Sequence, residues 1–296
     1  MFKINNDEIK VIITDMDGTL YSLDPNKKSE HKNHINNIRW LKQAIKDGVY
    51  VVMNTGNLPF FMKWAVNELT GDIQEFNKYF ISCTGNLIHD FQSNKTWIEN
   101  VFNHKIMLEI ITIIKKFDLV YDITSQKGDV IYYSNEDFRD LMRSVQKTGD
   151  ANYNHQILTD EILNSIHDTP KITMKRINLL QKPEIIKIIE QTFSKYNVKA
   201  TWWSVDGVDL VIGETNKYNG ILKLLDIINQ DTKQTLKPKN VIYFGDSHND
   251  ISVFENLKYC IAVKDATPEV IAKAYDVSCD SHDGALGHYL AKIYHK

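Results

Sequence analysis

Residues 10–20 read Lys10-Val11-Ile12-Ile13-Thr14-Asp15-Met16-Asp17-Gly18-Thr19-Leu20. The β-branched run predicts a buried strand, and two carboxylates follow at once, at the strand's carboxyl end. Asp24-Pro25-Asn26 then reads as a turn. Ile35, Ile38, Leu41 and Ile45 recur at helical spacing, Gly48 stops that helix, and residues 49–53 supply a second apolar run. Strand, helix, strand in this order is a βαβ unit, which implies parallel pairing and a right-handed crossover. A helix over 59–69, opened by Pro59, leads to a third strand at 79–82. The far end of the chain repeats the pattern: helix 217–228, strand 241–244, helix 249–256, strand 260–263, then a further short helix and strand. Both ends therefore read as one α/β domain.

The middle follows another pattern. Strands over 119–125, 130–134, 171–176 and 198–203 alternate with helices over 105–116, 135–145 and 183–193, a mixed α+β order. Only Gly128 and Gly149 of the 13 glycines fall there, whereas Gly18, Gly56, Gly85 and Gly245 follow strands of the flanking pattern. An open parallel sheet binds ligands at the carboxyl ends of its strands, where such glycines lie. The expected organisation is a discontinuous core, 1–85 and 204–296, with an α+β domain inserted over 86–203.

Composition restricts the partners. Hydrophobic residues at 43% and charged residues at 25% of 296 are ordinary for a globular chain and exclude collagenous or low-complexity classes. A net charge of −3 lacks the basic excess of a dedicated nucleic-acid binder. Four arginines stand among 35 basic residues, so a phosphate grip would rest on lysine and backbone N–H groups. Cys83, Cys260 and Cys279 have no C-x-x-C spacing, which argues against a disulfide framework and a cysteine zinc site. Neither an apolar leader nor an 18-residue apolar run is present, so a cytoplasmic protein with no membrane partner is expected.

Four segments carry candidate chemistry. Asp15 and Asp17 could divide labour, one as nucleophile or metal ligand and the other as proton shuttle, although a bare D-x-D-G is also a solvated turn. A calcium loop is excluded because the twelfth position from Asp15 is Asn26 and a strand precedes the loop. Thr55-Gly56 offers a hydroxyl and N–H groups to a phosphate oxygen. Lys217, at a helix start, could neutralise an anion or merely be solvated. Gly245-Asp246-Ser247-His248-Asn249-Asp250 adds two carboxylates after another strand, a pattern that also suits helix capping. Carboxylates crowded within about 4 Å would repel by roughly 4 kcal/mol per pair at an effective dielectric near 20. There is no P-loop and no G-x-G-x-x-G.

In this order, D-x-D-G-T, T-G, a lone lysine and G-D-x-x-N-D resemble the motif set of the haloacid dehalogenase-like (HAD) superfamily. The chain looks like a Cof-type phosphatase with a type IIB cap; the large insertion between Thr55 and Lys217 is the type II arrangement, and Asp283-Gly284-Ala285 is similar to the family's closing D-G-V-A. The resemblance implies a Rossmann-like parallel-sheet core with an inserted α+β cap and a small phosphorylated metabolite, such as a sugar phosphate, as substrate. It implies that Asp15 attacks phosphorus to form an aspartyl-phosphate and that Asp17 protonates the leaving oxygen and then activates water. It further implies that Thr55, Gly56, Lys217 and Asn249 hold the phosphoryl group. Asp15, Asp246 and the Asp17 carbonyl would bind Mg2+, and Asp250 would steady Lys217 or a metal-bound water. A phosphomutase on the same fold, using Arg139, Arg143 and Arg176, and an inactive sugar-phosphate-binding regulator are the alternatives.

Two positions depart from the family pattern: Asn57 stands where T-G-R is common, and Thr84-Gly85-Asn86 replaces N-G-A. Among weaker candidates, His31 and His34 lack a third ligand, and His248 is expected to face solvent or the cap. Trp202-Trp203 could offer a ring to substrate, although one of them is expected to pack the cap core, and Lys171, Lys175, Arg176 and Lys182 read as a solvated basic face.

Overall fold

The computed structural model describes residues 3–22, 31–60, 78–146, 154–175, 184–204 and 207–294. The chain divides into two compact units, one of Met1–Gly56, Ala65–Lys95 and Asn216–Lys296, the other of Asn57–Trp64 and Thr96–Thr215.

Along the chain, after a short antiparallel pair of Lys3–Ile4 and Asp7–Glu8, the first unit contributes strand β1 (Val11–Thr14), helix α1 (His31–Lys46), β2 (Tyr50–Asn54), β3 (Tyr79–Ser82) and β4 (Leu87–Asp90). The second unit contributes α2 (His104–Lys116), β5 (Val120–Thr124), β6 (Ile131–Tyr133), α3 (Glu136–Gln146), β7 (His155–Ile157), β8 (Ile172–Lys175), α4 (Glu184–Thr192), β9 (Lys199–Ser204) and β10 (Gly207–Val211). The chain returns to the first unit with α5 (Lys217–Thr232), β11 (Val241–Gly245), α6 (Ile251–Phe254), β12 (Tyr259–Ala262), β13 (Asp276–Val277) and α7 (Ala285–Tyr294).

The first unit is built on a sheet in the order β13-β12-β11-β1-β2-β3-β4. Pairing is parallel from β13 through β3, and β4 runs antiparallel to β3. All four residues of β1 are buried, which explains its unbroken β-branched run: a central parallel strand is covered on both faces. Gly48, at φ +78°, turns the chain from α1 into β2 in the left-handed conformation that glycine adopts without a Cβ penalty.

In the second unit a six-stranded sheet runs β7-β6-β5-β8-β10-β9. One face, with Tyr121, Ile123, Ile172, Met174, Val208 and Leu210, packs against Ile106, Ile110 and Ile114 of α2 and Ile185 and Ile189 of α4. The Asn103 side chain caps α2 by accepting from the Ile106 amide at 3.0 Å.

The expected domain limits need correction at three places. Residues 86–95 join the core because β4 completes the antiparallel pair with β3, so the crossover lies later than Asn86. Residues 204–215 join the second unit because β10 is hydrogen-bonded between β8 and β9. Asn57–Trp64 also belongs there, with the Phe60 ring edge-on to His155 at 5.7 Å. Residues 61–69 of the expected helix after Pro59, and the turn at Asp24-Pro25-Asn26, lie outside the described residues.

The expected solvated basic face is corrected as well. Lys171 is buried and pairs with Asp209 at 3.2 Å, and Lys175 lies 5.5 Å over the Phe138 ring. The β register places Asp122, Thr173 and Asp209 side by side, which supplies the polar partners for Lys171. Arg176 and Lys182 lie outside the described residues, as do the side chains of His31, His34 and Trp203. Trp202 is half-buried against the second unit's core. The helix expected over 249–256 is a 3-10 turn, His248–Asp250, followed by the single α-turn of α6. No described helix is long and apolar enough to cross a membrane.

Candidate active site

Parallel register brings the site together. Thr14 of β1 lies beside Met53 of β2 and Phe244 of β11, so the residues that follow, Asp15, Thr55 and Asp246, emerge at one edge of the sheet. The Asp15 amide donates to the Phe244 carbonyl at 2.9 Å and ties the first of these ends to the last. Beyond Asp15 the chain folds back on itself: the Tyr21 amide donates to the Met16 carbonyl at 2.9 Å and the Gly18 amide to that of Tyr21 at 2.8 Å. Gly18 has φ +87°, and a Cβ there would overlap the Asp246 carboxylate, so glycine is required on both counts. The neighbouring Thr19 hydroxyl donates to Asp246 Oδ1 at 2.6 Å. The Asp17 side chain is exposed.

Lys217 opens α5 behind Asn216, whose side chain caps the helix by accepting from the Asn219 amide at 2.9 Å. The lysine is wholly buried, with Nζ 2.9 Å from Asp15 Oδ1 and 2.6 Å from Asp250 Oδ1. Asn54 holds the base of this residue by donating its side-chain amide to the Lys217 carbonyl at 3.1 Å. Gly85, at φ +95°, and Gly220 let α5 sit backbone to backbone on the turn after β3; a Cβ on Gly220 would come 2.6 Å from Gly85 Cα.

Asp250 is fully buried and saturated with donors. Its Oδ1 accepts from Lys217 and, at 2.6 Å, from the Tyr243 hydroxyl, and its Oδ2 accepts from the amides of Asp246 at 2.9 Å and Ser247 at 3.1 Å. Asn249 is half-buried, its Oδ1 accepting from the Ser247 hydroxyl at 3.1 Å. Thr55 is buried and Gly56 half-buried at the end of β2, with the Thr55 amide donating to the Ile81 carbonyl at 3.0 Å. His248 is exposed and faces Glu269 at 3.3 Å.

The electrostatics follow from this crowding. Carboxylate oxygens of Asp15, Asp246 and Asp250 lie within 4.8 Å of one another, a spacing that costs roughly 3–4 kcal/mol per ionised pair at an effective dielectric of 20. Burial, opposed by Lys217 and reinforced by Asp250 and Asp246, holds the Asp15 carboxyl well above the usual carboxylate range. Burial and the charge of Asp250 push Asp246 up to about 7. Burial works against the Lys217 charge, but Asp15 and Asp250 outweigh it and hold the ammonium protonated above the usual lysine range. Three carboxylates against one ammonium are two positive charges short of neutrality. All-oxygen donors in this deficit fit a hard divalent cation. With Asp250 saturated, Asp15 and Asp246 are the carboxylates with lone pairs to give it.

A family model described as haloacid dehalogenase-like hydrolase matches residues 12–290. The chain belongs to this family. Phosphatase YwpJ of Bacillus subtilis is 23% identical over 290 residues, covering 93% of this chain and 96% of that one. Among solved structures, a haloacid dehalogenase-like hydrolase from Bacteroides thetaiotaomicron aligns with a TM-score of 0.78 at 18% identity, over 97% of this chain and 100% of that one. The subclass IIB sugar phosphatase BT4131 aligns with a TM-score of 0.76 at 16% identity, over 96% and 98%. These structures share the fold of this HAD-family chain.

The structure thus brings Asp15, Lys217, Asp246 and Asp250 into one cluster and puts Thr55, Gly56 and Asn249 on the same sheet edge. Three participants were missed in the sequence. Tyr243 reads there as one more apolar strand residue, and Asn54 as the end of a strand. Gly220 had a usable signal, since glycine inside a helix costs about 1 kcal/mol relative to alanine and calls for a packing reason.

Proposed function

We propose that this HAD-family chain is a Mg2+-dependent phosphatase for small phosphorylated metabolites, with sugar phosphates as the first class to test. The observation that carries the reading is the buried Lys217 ammonium held between Asp15 and Asp250 at the carboxyl edge of a parallel sheet. Such a group gives a transferring phosphoryl a fixed positive charge in a site of low dielectric, which is where charge stabilisation is worth most.

In this mechanism Asp15 attacks phosphorus in line with the leaving oxygen, forming an aspartyl-phosphate as the ester P–O bond breaks. Asp17 gives its proton to the departing oxygen. It then takes a proton from the water that attacks the aspartyl-phosphate, so that inorganic phosphate leaves and Asp15 is regenerated. Asp15 must be ionised to attack, and burial opposes that. Lys217 supplies one positive charge, and Mg2+ held by Asp15, Asp246 and the Asp17 carbonyl would supply the Lewis-acid charge that completes neutralisation. Thr55, Gly56 and Asn249 contribute hydrogen bonds to the phosphoryl oxygens, and Asp250 keeps Lys217 in place.

The reading is supported by the family match and by the curated relative's phosphatase name. The sugar-phosphate class draws on the subclass IIB neighbour. Purified protein assayed against a panel of phosphorylated metabolites should release inorganic phosphate in the presence of Mg2+, and EDTA should stop the reaction until Mg2+ is restored. Activity indifferent to chelation would remove the metal from the mechanism, and turnover confined to phosphate migration within the substrate would make the protein a mutase.

A further inference from the structure

Tyr243 carries a buried hydroxyl to which none of the roles above assigns a use. It lies in the middle of β11 with no exposed surface, its ring edge-on to Phe254 at 6.1 Å. Its route to the site is built into the strand: a Cβ on Gly245 would lie 2.9 Å from Tyr243 Cε1 and 2.7 Å from Asp250 Oδ2. The absent side chain at Gly245 is the space through which the phenol reaches Asp250. There the hydroxyl and Lys217 Nζ both donate to the same oxygen, Asp250 Oδ1, each at 2.6 Å. A carboxylate offers about four lone-pair sites, and two backbone amides, the lysine and the tyrosine fill all four.

Two donors on one oxygen share its charge, so each is held less tightly than it would be alone. We propose that Tyr243 is a positioning residue for Lys217: by occupying part of Asp250 Oδ1 it limits the hold of Asp250 on the ammonium and keeps Lys217 directed toward Asp15 and the phosphoryl group bound there. This rests on the phosphatase reading. Without the hydroxyl, Asp250 Oδ1 has a single donor left and draws Lys217 toward itself, away from phosphate.

The test is Tyr243→Phe, which keeps the ring. Binding of inorganic phosphate at saturating Mg2+ is measured by calorimetry, alongside KM and kcat for an aryl phosphate. The phosphate dissociation constant should rise by about three- to tenfold, less than the loss of a direct charged hydrogen bond, and kcat/KM for the aryl phosphate should fall by at least as much. Phe254→Leu removes ring packing beside the same phenol without touching its hydroxyl, and should lower Tm while leaving the phosphate constant unchanged. Site-specific 3-fluorotyrosine at 243, a stronger donor of nearly the same shape, should move the phosphate constant opposite to Tyr243→Phe and serves if that variant does not fold. Wild type that binds phosphate, with Tyr243→Phe or the fluorotyrosine form binding it equally well, overturns the positioning role and leaves the phosphatase reading standing. Wild type that binds no phosphate with Mg2+ overturns both.

Discussion

Each unit of the protein buries a lysine among aspartates, and the two clusters are built differently. In the first unit Lys217 lies between Asp15 and Asp250, with Asp246 in the same group, all at strand ends or a helix start. In the second, Lys171 pairs with Asp209, and Asp122 stands across Thr173 in register, all in or beside the middle strands of the sheet. Burial, partly offset by Lys171, pushes the Asp122 carboxyl up to about 7, much as it does for Asp246. The difference is charge balance. Among the described residues, Lys171 and Lys175 are the cations that act on the two carboxylates of the second unit, whereas Lys217 is set against three in the first. A balanced cluster can be satisfied by its own strands. One short by two charges at a sheet edge has a place for a divalent cation and an anion.

The largest expected effect tests the unbalanced cluster directly. Asp15→Asn keeps the size of the side chain but removes the attacking oxygen charge, and should lower turnover of an aryl phosphate by at least about a thousandfold, as expected for loss of a covalent nucleophile. Substantial remaining activity in a steady-state assay would break the assignment.

Next comes the behaviour of the two lysines. Removing one partner of a buried ion pair typically costs about 3–5 kcal/mol, whereas replacing both by well-packed apolar groups can be neutral or stabilising. Lys171→Met should therefore lower stability by roughly that amount, and adding Asp209→Leu should restore most of it in denaturant unfolding. For Lys217→Met, a compensating Asp250→Leu should restore no phosphatase activity, because the ammonium is needed as a charge. Recovery of activity in that double variant would erase the distinction between the clusters.

How much of this contrast was legible in the sequence depends on where the residues lie along the chain. Asp15 and Asp17 directly follow β1, and Asp246, Asn249 and Asp250 directly follow β11, so local pattern and strand order sufficed to put them on one sheet edge. The parallel core followed from its apolar runs in the same way. Asp122, Lys171 and Asp209 are isolated polar residues in or beside otherwise apolar strands, and they meet only through a register that non-local pairing sets. That is why Lys171 reads as solvated until the sheet is seen. The strand Gly207–Val211 was overlooked for a related reason: it follows the segment expected to return the chain to the core, and only its pairing with both β8 and β9 assigns it to the second unit. Tyr243 was illegible because its ring reads as one more apolar residue of a buried strand, and the partner its hydroxyl needs is fixed by the turn that carries Asp250.

A smaller effect probes how each lysine is held. Lys171 adjoins a strand ladder, but Lys217 depends on the seating of α5 against Gly85. Gly220→Ala would gain helix propensity of about 1 kcal/mol in an open helix. Here its Cβ would meet Gly85 Cα at 2.6 Å and the Gly85 carbonyl oxygen at 2.7 Å, backbone that cannot rotate away. Overpacking should win and leave the variant about 1–3 kcal/mol less stable, with activity falling as the first turn of α5 moves. A stabilised and fully active Gly220→Ala would show that the helix is not seated by this contact.

The smallest effect separates the two carboxyls raised to about 7. Both Asp246 and Asp122 bind protons more tightly in the folded chain than at the usual carboxylate value of 3.8. The folded state therefore holds more protons than the unfolded one between these values. The stability each group contributes is fully present below about 4 and is lost as pH rises through about 7. Mg2+ competes with the proton at Asp246 and with none at Asp122. At a free Mg2+ concentration ten times its dissociation constant, binding should stabilise the protein by about 1.4 kcal/mol, which is a few degrees in Tm for a chain of this size. That shift should be present at pH 8 and shrink toward pH 5, as protonation of Asp15 and Asp246 takes the site from the metal. Asp246→Asn should abolish the Mg2+ shift, while Asp122→Asn should keep it and flatten only the decline of Tm with pH seen in EDTA. A Mg2+ shift that is the same at pH 5 and pH 8, or that survives Asp246→Asn, would mean that the metal does not occupy the charge deficit around Lys217.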